Sequence, residues 1–493
     1  MDTVLLVNLP RQEAERPPAV IAGLAGIIKD AGIDYDVFDL NLAAIKGLTS
    51  DKWQDLQNYL SYFYKEYNTV EFINLVLSSL PKKNYSIIAV SMFTYETLRS
   101  GNIVLPILRK AYPDSKIIIG GHGADFADPD SDKQPFYKKH IETNTIDAYI
   151  LGEAELSFSK YIKNPNGWVN SNQHYVVDNL DDIPFACYDK ILPDDYLHYG
   201  IRGAYITGSR GCVRNCTFCD VGSIWGKFRF RSANHIFEEI LHHHLNYNVT
   251  LIEFTDNLIN GSLSEFKKLN QLLVNAQEKY PSLKQLRYKG DFICRPKNQF
   301  TEDDFCLMKK AGGDDLIVGI ESFSESVRYH MGKKFSNDDI DFHLYASGKY
   351  GIKNTFLMQV GYPTETLADH DANKKGIHRY QKYSLSRVIK MIRWGYTTGI
   401  LPGSPLDVTH RHSLPLKADI ENPEFYGESN WINLSNPDLT YAERIRRRME
   451  LHFLSKKLQY NQPRVNDEFL FILTQLKHNI KSKQLIPISN NKV

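Results

Sequence analysis

The stretch GSRGCVRNCTFCD, residues 208–220, places Cys212, Cys216 and Cys219 in the spacing C-x₃-C-x₂-C. The chain has six cysteines, so half of them fall within this one segment. The run AYITGS leads into the stretch, and a short apolar run bounded by glycine predicts a buried strand. We therefore expect the three thiolates on a loop directly after a strand, where they can converge on one metal centre.

The residues alone leave the nature of that centre open. A structural zinc needs a fourth protein ligand to close its tetrahedron. The sequence has no second C-x-x-C or H-x₃-H pair, although the histidines at 242–244 are candidates. An iron–sulfur cluster held by three cysteines leaves one iron open, which is useful only if a ligand binds it. Redox-active cysteines are the third interpretation.

Composition and charge exclude several classes of protein. At 493 residues the chain exceeds what one hydrophobic core usually serves, so we expect two or three domains. The 59 basic and 58 acidic residues leave a net charge of +1, which provides no global field for holding nucleic acid. No apolar run approaches the roughly 18 residues of a membrane span, and the first residues do not resemble a signal peptide. We expect a cytoplasmic protein without a membrane partner.

From Thr3 to about Gly152, short β-type runs alternate with helical stretches. The strand-like runs are VLLV, DYDVFDLN, YSIIAVSM, IIIGG and DAYILGE. This α/β alternation predicts a doubly wound, Rossmann-like parallel sheet over residues 1–165, with helices on both faces and a helical insert at about 43–79. Ligands of such sheets bind at the carboxyl ends of the strands.

A polar, irregular segment at 166–200 predicts a linker, after which a second alternating series begins. Its strand-like runs are AYITGS, TLIEFTD, QLRYKGDF, DLIVGIES, NTFLMQVGY and SRVIKMI. Six βα units are too few for an eight-stranded barrel. They predict an open, partial (β/α)6 barrel of the TIM type over 201–406, with its active site at the carboxyl ends of the strands. The remainder, 407–493, predicts a loop-rich and mostly helical extension.

One predicted helix of this extension, TYAERIRRRMELHFLSKKLQY, carries a run of arginines. They are Arg444, Arg446, Arg447 and Arg448. Such a charge run favours a solvated face with salt bridges, and the alternative is a contact with phosphate or RNA.

The spacing of Cys212, Cys216 and Cys219 matches the signature of the radical S-adenosylmethionine (radical SAM) enzymes. The stretches FRFRSANHIFEEI, LIEFTDN, RYKGDFICR, GIES and MQVGYPTET follow in order, so the segment from about 205 to 406 resembles the family's partial barrel. The resemblance implies a [4Fe-4S] cluster on the three cysteines, with S-adenosylmethionine on the open iron. It also implies S-adenosylmethionine-binding residues, which are Phe218, Asp256, Asn257, Arg295, Glu321 and Gly361.

The N-terminal sheet resembles the cobalamin-binding domain of the cobalamin-dependent radical SAM enzymes. The resemblance is carried by PPAVIAGLAGIIKDAG, AVSMFTYET, IIIGGHGA and DAYILGEAE. The implied cobalamin-binding residues are Ser91, Thr94, Gly120, Gly121, His122, Gly152 and Glu153. Cobalamin domains that coordinate cobalt from below use a D-x-H-x-x-G loop, and here that loop reads LPRQEAERPPAV. We therefore expect the lower face of the cobalt to lack a histidine.

The resemblance implies an enzyme that cleaves S-adenosylmethionine to a 5′-deoxyadenosyl radical and uses cobalamin to methylate an unactivated carbon. It also implies a small-molecule or natural-product-like substrate and an external one-electron donor such as flavodoxin or ferredoxin. The first alternative is a cobalamin-dependent radical cyclisation, ring contraction or rearrangement. The second is a noncatalytic, metal-stabilised module that binds nucleic acid. Methylthiolation of tRNA would predict a second cysteine triad, and no cysteine precedes Cys187.

Several features remain without a specific chemical role. Cys187, Cys294 and Cys306 are scattered in apolar or helical contexts, which predicts packing. No residue is nominated as a general acid or base. We expect the helical insert and the segment 403–431 to contact the substrate.

Overall fold

The computed structural model describes residues 3–10, 16–61, 66–128, 134–191, 193–196, 201–415 and 431–462. The strands are β1 Thr3–Asn8, β2 Asp34–Asp39, β3 Ile87–Ser91, β4 Lys116–Gly120, β5 Ala148–Gly152, β6 His174–Tyr175, β7 Gly203–Ile206, β8 Ser209–Arg210, β9 Arg229–Phe230, β10 Leu251–Phe254, β11 Arg287–Phe292, β12 Gly313–Glu321, β13 Lys353–Val360 and β14 Ile389–Thr397.

The α-helices are α1 Ala19–Asp30, α2 Leu40–Gly47, α3 Ser50–Leu60, α4 Val70–Ser79, α5 Thr97–Ala111, α6 Phe136–Glu142, α7 Glu155–Lys163, α8 Val221–Trp225, α9 Ala233–Tyr247, α10 Leu263–Lys279, α11 Glu302–Lys310, α12 Glu325–His330, α13 Asn337–Tyr350, α14 Leu367–Leu385, α15 Pro405–His410 and α16 Tyr441–Lys457. None of these helices combines the length and the apolar composition that a membrane span requires.

The first sheet has the strand order β2-β1-β3-β4-β5-β6, and all its pairs are parallel. β1 and β3 lie inside the sheet and are buried on both faces, which is why their sequences are apolar without alternation. The predicted doubly wound sheet is confirmed. The two-residue strand β6 lies in the segment that we predicted as a linker, because two residues carry no periodic signal.

The predicted helical insert corresponds to the end of α2 and to α3 and α4. Leu56 and Leu60 of α3 and Phe72 and Val76 of α4 are fully buried. They belong to the hydrophobic core that also contains the apolar residues of β1 and β3. The insert therefore adds to the core of the first sheet.

The second sheet has the order β14-β13-β12-β11-β10-β7. The pairs β7–β10, β11–β12, β12–β13 and β13–β14 are parallel. Neighbours follow chain order because each βα unit adds the next strand on the same side. The predicted partial barrel of six parallel strands is confirmed.

Polar side chains fix where the helices of this second series begin. Ser232 accepts a hydrogen bond from the backbone of His235 and caps α9, as its position before an apolar run predicts. Reciprocal capping boxes begin three further helices, and their residue pairs are Thr301 with Asp304, Ser336 with Asp339, and Thr366 with Asp369. Each such cap contributes about 1 kcal/mol to the stability of its helix.

The chain divides into two compact units. The first contains residues 1–208 and 229–255, and the second contains 209–228 and 256–493. The cysteine loop, β11 to β14 and α16 belong to the second unit. The domain boundaries that we derived from the sequence stay a prediction.

The predicted C-terminal helix is confirmed as α16, but its arginines differ from the prediction of a solvated face. Arg444, Arg447 and Arg448 are buried, with exposed fractions of 0%, 4% and 4%, so for these three the prediction is wrong. Arg444 and Arg448 donate to backbone carbonyls, and Arg447 pairs with Glu365 at 3.0 Å. Only Arg446 of the four is exposed, where it pairs with acidic neighbours on the same helix.

Two glycines inside helix α1 allow a test of how closely the predicted linker packs against this helix, because their surroundings differ. A side chain on Gly26 would overlap the carbonyl oxygen of Phe185, whereas nothing lies within 4 Å of such a carbon on Gly23. We expect Gly26→Ala to lower the free energy of unfolding by about 1–3 kcal/mol through this clash. Gly23→Ala should raise it by about 0.5–1 kcal/mol, since alanine favours a helix. Denaturant titration measures both, and equal effects would contradict the packing.

Candidate cofactor sites

The cysteine loop is a compact segment that follows a glycine in a left-handed backbone conformation. Gly211 has a φ of +81°, a conformation that glycine adopts without strain. The backbone N–H of Arg214 donates to the sulfur of Cys212 at 3.4 Å, and the N–H of Cys219 donates to the carbonyl of Cys216 at 3.1 Å. The loop therefore turns on itself between the first and the last cysteine.

Thr217, in the middle of the loop, ties it to three other segments. Its N–H donates to the carbonyl of Met331 at 3.1 Å, and its carbonyl accepts from the N–H of Leu406 at 2.8 Å. Its hydroxyl lies 2.7 Å from the hydroxyl of Tyr362. Gly332, with a φ of +78°, packs so closely that an added carbon would lie 3.2 Å from the carbonyl oxygen of Asn215. The position of the loop is thus set by contacts on several sides.

Glu321 and Lys333 form a buried ion pair at the carboxyl end of β12. The ammonium lies 2.9 Å from Glu321 Oε1, and the two side chains are 9% and 8% exposed. Glu321 has a φ of +64°, which costs about 1 kcal/mol or more in a residue that has a side chain. Burial lowers the pKa of Lys333, but attraction to Glu321 and to the sulfurs of Cys216 and Cys212 outweighs this effect. The pKa therefore lies above its usual value, and the lysine is charged.

The three thiols fit the donor set of an iron–sulfur cluster. Burial raises the pKa of Cys216, and it raises the pKa of Cys219 to about 11. The charge of Cys212 raises the pKa of Cys216 further, and the charges of Cys216 and Cys212 do the same for the pKa of Cys219. Among the described residues, no three His, Cys, Asp or Glu side chains are grouped to hold a single metal ion. A cubane cluster requires less convergence, because each thiolate binds its own iron.

Phe218 lies at the edge of an apolar cluster in the second unit. The buried members of that cluster are Val327, Met331, Tyr362, Ile400, Leu406, Leu414, Trp431 and Leu439. Phe218 packs against them and is itself partly buried, with its ring centroid 5.8 Å from the ammonium of Lys333. Five members come from the segment after β14, and three of these belong to the predicted C-terminal extension, so part of that extension supports the loop. Residues 416–430 of the segment predicted to contact substrate lie outside the described residues.

Asp256 and Asn257 differ in their surroundings. Asp256 is buried and accepts a hydrogen bond from the hydroxyl of Ser209 at 2.5 Å, just before the cysteine loop. Asn257 is exposed. Neither side chain caps α10, whose N-cap is Ser262.

Arg295 interacts through its charge with residues of the cysteine loop. It donates to the carbonyls of Asn260 and Gly261 at 2.7 and 3.1 Å. Burial lowers the pKa of Arg295, the charge of Arg214 lowers it further, and the sulfur of Cys212 opposes both effects. A structural ion pair, the alternative for this residue, is not among the contacts of its guanidinium within the described ranges.

Gly361 has a structural reason for being glycine. Its φ is +77°, and a side chain there would overlap the aliphatic part of Arg444. Its N–H donates to Glu365 at 2.9 Å, and Glu365 pairs with the buried Arg447. A role in S-adenosylmethionine binding stays a prediction for this residue.

The sequence prediction missed Lys333, Gly332 and Tyr362. The structure brings Cys212, Cys216, Phe218 and Glu321 into the surroundings of Lys333. Tyr362 lies within the stretch MQVGYPTET that carried the resemblance, but it was not singled out. The only signal for Gly332 and Lys333 was the segment HMGKKF a short distance after GIES, and two consecutive lysines usually indicate an exposed surface.

The other metal-ligand types in the chain have ordinary packing environments. His243 is fully buried, 3.4 Å from Glu239, and His244 contacts the carbonyl of Val249. Cys187 and Cys294 are buried and Cys306 is half-buried. The positions of these cysteines agree with the packing role that the sequence predicts.

The candidate cobalamin site lies at the carboxyl ends of β3, β4 and β5. Two loops that follow β3 and β4 are in backbone contact, because an added carbon on Gly121 or Gly123 would lie 2.6 Å from the carbonyl of Met92 or 2.5 Å from that of Thr94. The N–H of Gly123 donates to the carbonyl of Met92 at 2.8 Å. Local packing therefore already requires glycine at 121, and the same holds for Gly152, which packs against the carbonyl of Tyr175.

The polar residues predicted for cobalamin have three different environments. Ser91 is buried at the end of β3, and His122 is exposed, with its ring 4.7 Å from that of Phe126. The hydroxyl oxygen of Thr94 is buried and has no hydrogen-bond partner among the described residues. A buried hydroxyl without a partner is costly, so Thr94 fits a site where a polar ligand completes the bond.

Glu153 is committed to an ion pair. It is 7% exposed, lies 2.5 Å from a guanidinium nitrogen of Arg229 and accepts from the N–H of Val177 at 2.8 Å. Its role toward cobalamin stays a prediction. Residues 11–15, which are part of the loop expected beneath the cobalt, lie outside the described residues.

Comparison with known proteins identifies one segment of the chain. The radical SAM superfamily model matches residues 206–374. An uncharacterized methyltransferase of Pyrococcus horikoshii is 27% identical over 252 residues, which are 48% of this chain and 53% of that protein. The chain spans about half the length of the curated relatives it matches.

Two solved structures share the fold over most of the chain. TsrM from Kitasatospora setae, a radical S-adenosylmethionine methyltransferase with cobalamin and a [4Fe-4S] cluster bound, has a TM-score of 0.60 at 14% identity, covering 91% of this chain and 82% of that one. OxsB, a cobalamin-dependent S-adenosylmethionine radical enzyme with aqua-cobalamin bound, has a TM-score of 0.62 at 15% identity, covering 97% and 72%. Residues 206–374 thus match the radical SAM superfamily, and the chain around them has the fold of TsrM and OxsB.

Proposed function

We propose that this chain is a radical SAM enzyme that uses cobalamin as a second cofactor and methylates an unactivated carbon of a small molecule. One observation carries the proposal. The three-cysteine loop lies beside the buried Glu321–Lys333 pair at the carboxyl end of β12, inside the matched radical SAM segment. The methyltransferase of Pyrococcus horikoshii and the folds of TsrM and OxsB support the choice of reaction and cofactors.

In this proposal Cys212, Cys216 and Cys219 hold a [4Fe-4S] cluster and leave one iron to S-adenosylmethionine. When bound, the cluster supplies the electron that cleaves S-adenosylmethionine to methionine and a 5′-deoxyadenosyl radical. Glu321 would accept hydrogen bonds from the ammonium or the ribose hydroxyls of S-adenosylmethionine, and Phe218 would pack beside the adenine. The apolar cluster behind Phe218 supports the exclusion of water that a reactive radical requires.

Cobalamin would bind at the strand ends of the first sheet. Ser91 and Thr94 would donate hydrogen bonds to it, and the exposed ring of His122 would contact its periphery. When bound, cobalamin supplies a carrier for the methyl group. The closely packed backbone after β3 and β4 would give the ligand a rigid surface on which few side chains must be ordered.

The substrate and the electron donor are further parts of the proposal. The substrate would be a small or natural-product-like molecule, and the electron would come from a flavodoxin or a ferredoxin. The part of the segment 403–431 that the structure describes contacts the cysteine loop through Leu406, which supports a place for that segment near the reacting groups.

Product analysis tests the proposed function. The full chain is reconstituted anaerobically with iron, sulfide, cobalamin, S-adenosylmethionine and a strong reductant, and the products are measured by mass spectrometry. We expect both 5′-deoxyadenosine and cobalamin-dependent S-adenosylhomocysteine. The first product alone would replace methyl transfer by another radical reaction, such as a rearrangement. Neither product, with zinc retained, would contradict the proposal.

The three cysteines generate a direct prediction. Replacing any one of Cys212, Cys216 or Cys219 by alanine should abolish the iron–sulfur absorption and lower the formation of 5′-deoxyadenosine at least a hundredfold, because each thiolate holds one iron. The half-buried Cys306 provides the control, and Cys306→Ala should retain both signals. A triple variant that still forms 5′-deoxyadenosine would refute the assignment.

Thr94 generates a second prediction. Thr94→Val keeps the shape of the side chain and removes the hydroxyl that has no partner in the described residues. We expect the protein to retain at least fivefold less cobalamin after gel filtration, measured by its visible absorption. The exposed Thr49 provides a matched control, since Thr49→Val should retain as much cobalamin as the unchanged protein. Equal retention in both variants would remove Thr94 from the proposed site.

A further inference from the structure

Lys333 is a buried lysine whose two hydrogen bonds use two of the three donors of its ammonium. Its ammonium donates to the carbonyl of Gly319 at 2.8 Å and to Glu321 Oε1 at 2.9 Å, and its side chain is 8% exposed. A lysine ammonium has three donors, so one remains after these two bonds within the described part of the chain. Burying an ammonium is costly unless nearby negative charge compensates for its lost hydration.

The cysteine loop provides part of that charge. The sulfurs of Cys216 and Cys212 attract the ammonium of Lys333 in addition to Glu321. The ammonium also lies 5.8 Å from the ring centroid of Phe218, the residue before the last cysteine. Lys333 is therefore oriented toward the loop that would hold the cluster.

Glu321 is held in a strained conformation that aims its carboxylate. The pairing of β12 with β13 skips a residue here, since Gly319 is opposite Leu357 and Glu321 is opposite Met358. Such a bulge turns the following side chain out of the regular alternation of the strand, and the φ of Glu321 is left-handed. The bond to Lys333 fixes the direction of the carboxylate that results.

We infer that Lys333 is a positioning residue with two effects on the proposed chemistry, an inference that rests on the proposed function. It holds the Glu321 carboxylate where S-adenosylmethionine would meet it. It also places a fixed positive charge beside the sulfur ligands of the cluster. Net charge near an iron–sulfur cluster tunes its reduction potential, and a positive charge stabilises the reduced, more negative state.

The neighbouring Lys334 offers a matched control. It carries the same charge one residue later in the chain, and it is exposed. Removing its charge should have little effect on the cluster, because charge interactions through solvent are screened. Lys333→Met and Lys334→Met therefore make the same change of charge in two different environments.

The test uses the full chain reconstituted anaerobically with iron and sulfide. A redox titration followed by electron paramagnetic resonance gives the reduction potential of the cluster. Equilibrium dialysis with labelled S-adenosylmethionine gives its affinity. Both are measured for the unchanged protein, Lys333→Met, Lys334→Met and Glu321→Gln.

We expect Lys333→Met to shift the potential to more negative values and to weaken S-adenosylmethionine binding at least tenfold, because the carboxylate is released. Glu321→Gln should also weaken binding at least tenfold, but it should shift the potential in the opposite direction because it removes a negative charge. Lys334→Met should retain both values. A merely structural role of Lys333 would not produce opposite shifts of the potential.

The outcomes separate this inference from the proposed function. If the unchanged protein assembles no cluster, the proposed function is wrong. If the cluster assembles and Lys333→Met matches Lys334→Met in potential and affinity, the inference about Lys333 is overturned. If Lys333→Met fails to assemble a cluster, the reduction potential of Glu321→Gln tests the inference instead. A potential less negative than that of the unchanged protein supports the coupled charges, and an equal potential contradicts them.

Discussion

The cost of burying a charge determines the geometry of the cysteine loop. Removing an ammonium from water costs several kcal/mol unless it is paired, so Lys333 has to stay with Glu321 and with the carbonyl of Gly319 at the end of β12. This fixes the short segment before Lys333, on which the loop packs through Gly332 and through the hydrogen bond of Thr217. The strand end, the lysine and the cysteines consequently form one structural group within the second unit.

The C-terminal helix supports the same group by using charge inside the protein. Arg444 is fully buried over Gly361, and its guanidinium lies 3.7 Å from the ring centroid of Trp431. Arg447 reaches Glu365, which in turn accepts from the N–H of Gly361 just after β13. Backbone carbonyls and the carboxylates of Glu365 and Glu443 thus bind guanidiniums that a charge run would place in solvent. The helix therefore stabilises the end of β13. Of the four arginines on which the alternative of a nucleic-acid-binding module depends, Arg446 is the one that is exposed.

How much the sequence predicts depends on whether a feature is local in the chain. The parallel strands could be predicted because burial on both faces leaves continuous apolar runs, and the cysteines could be predicted because their spacing is short. Lys333 could not be predicted, since only the fold brings it beside Glu321. Two consecutive lysines in a sequence also usually indicate an exposed segment. Glu153 illustrates the same limit, because its partner Arg229 is 76 residues away. The edge strand β6 has too few residues to carry a pattern.

The two candidate sites differ in the forces that build them, and this difference explains the unequal strength of their sequence signals. The site on the first sheet is made largely of backbone, with Gly121 and Gly123 allowing two loops to touch. Thr94 adds a buried hydroxyl that has no hydrogen-bond partner in the described ranges. A large ligand can bind such a surface through many weak contacts, and many different sequences can build it. The site in the second unit depends on thiols and on a buried ion pair. Few residue types can supply those charges and metal ligands, so the cysteine spacing identifies the site in the second unit. Glycines and hydroxyls at strand ends are less specific, so they only suggest the site on the first sheet.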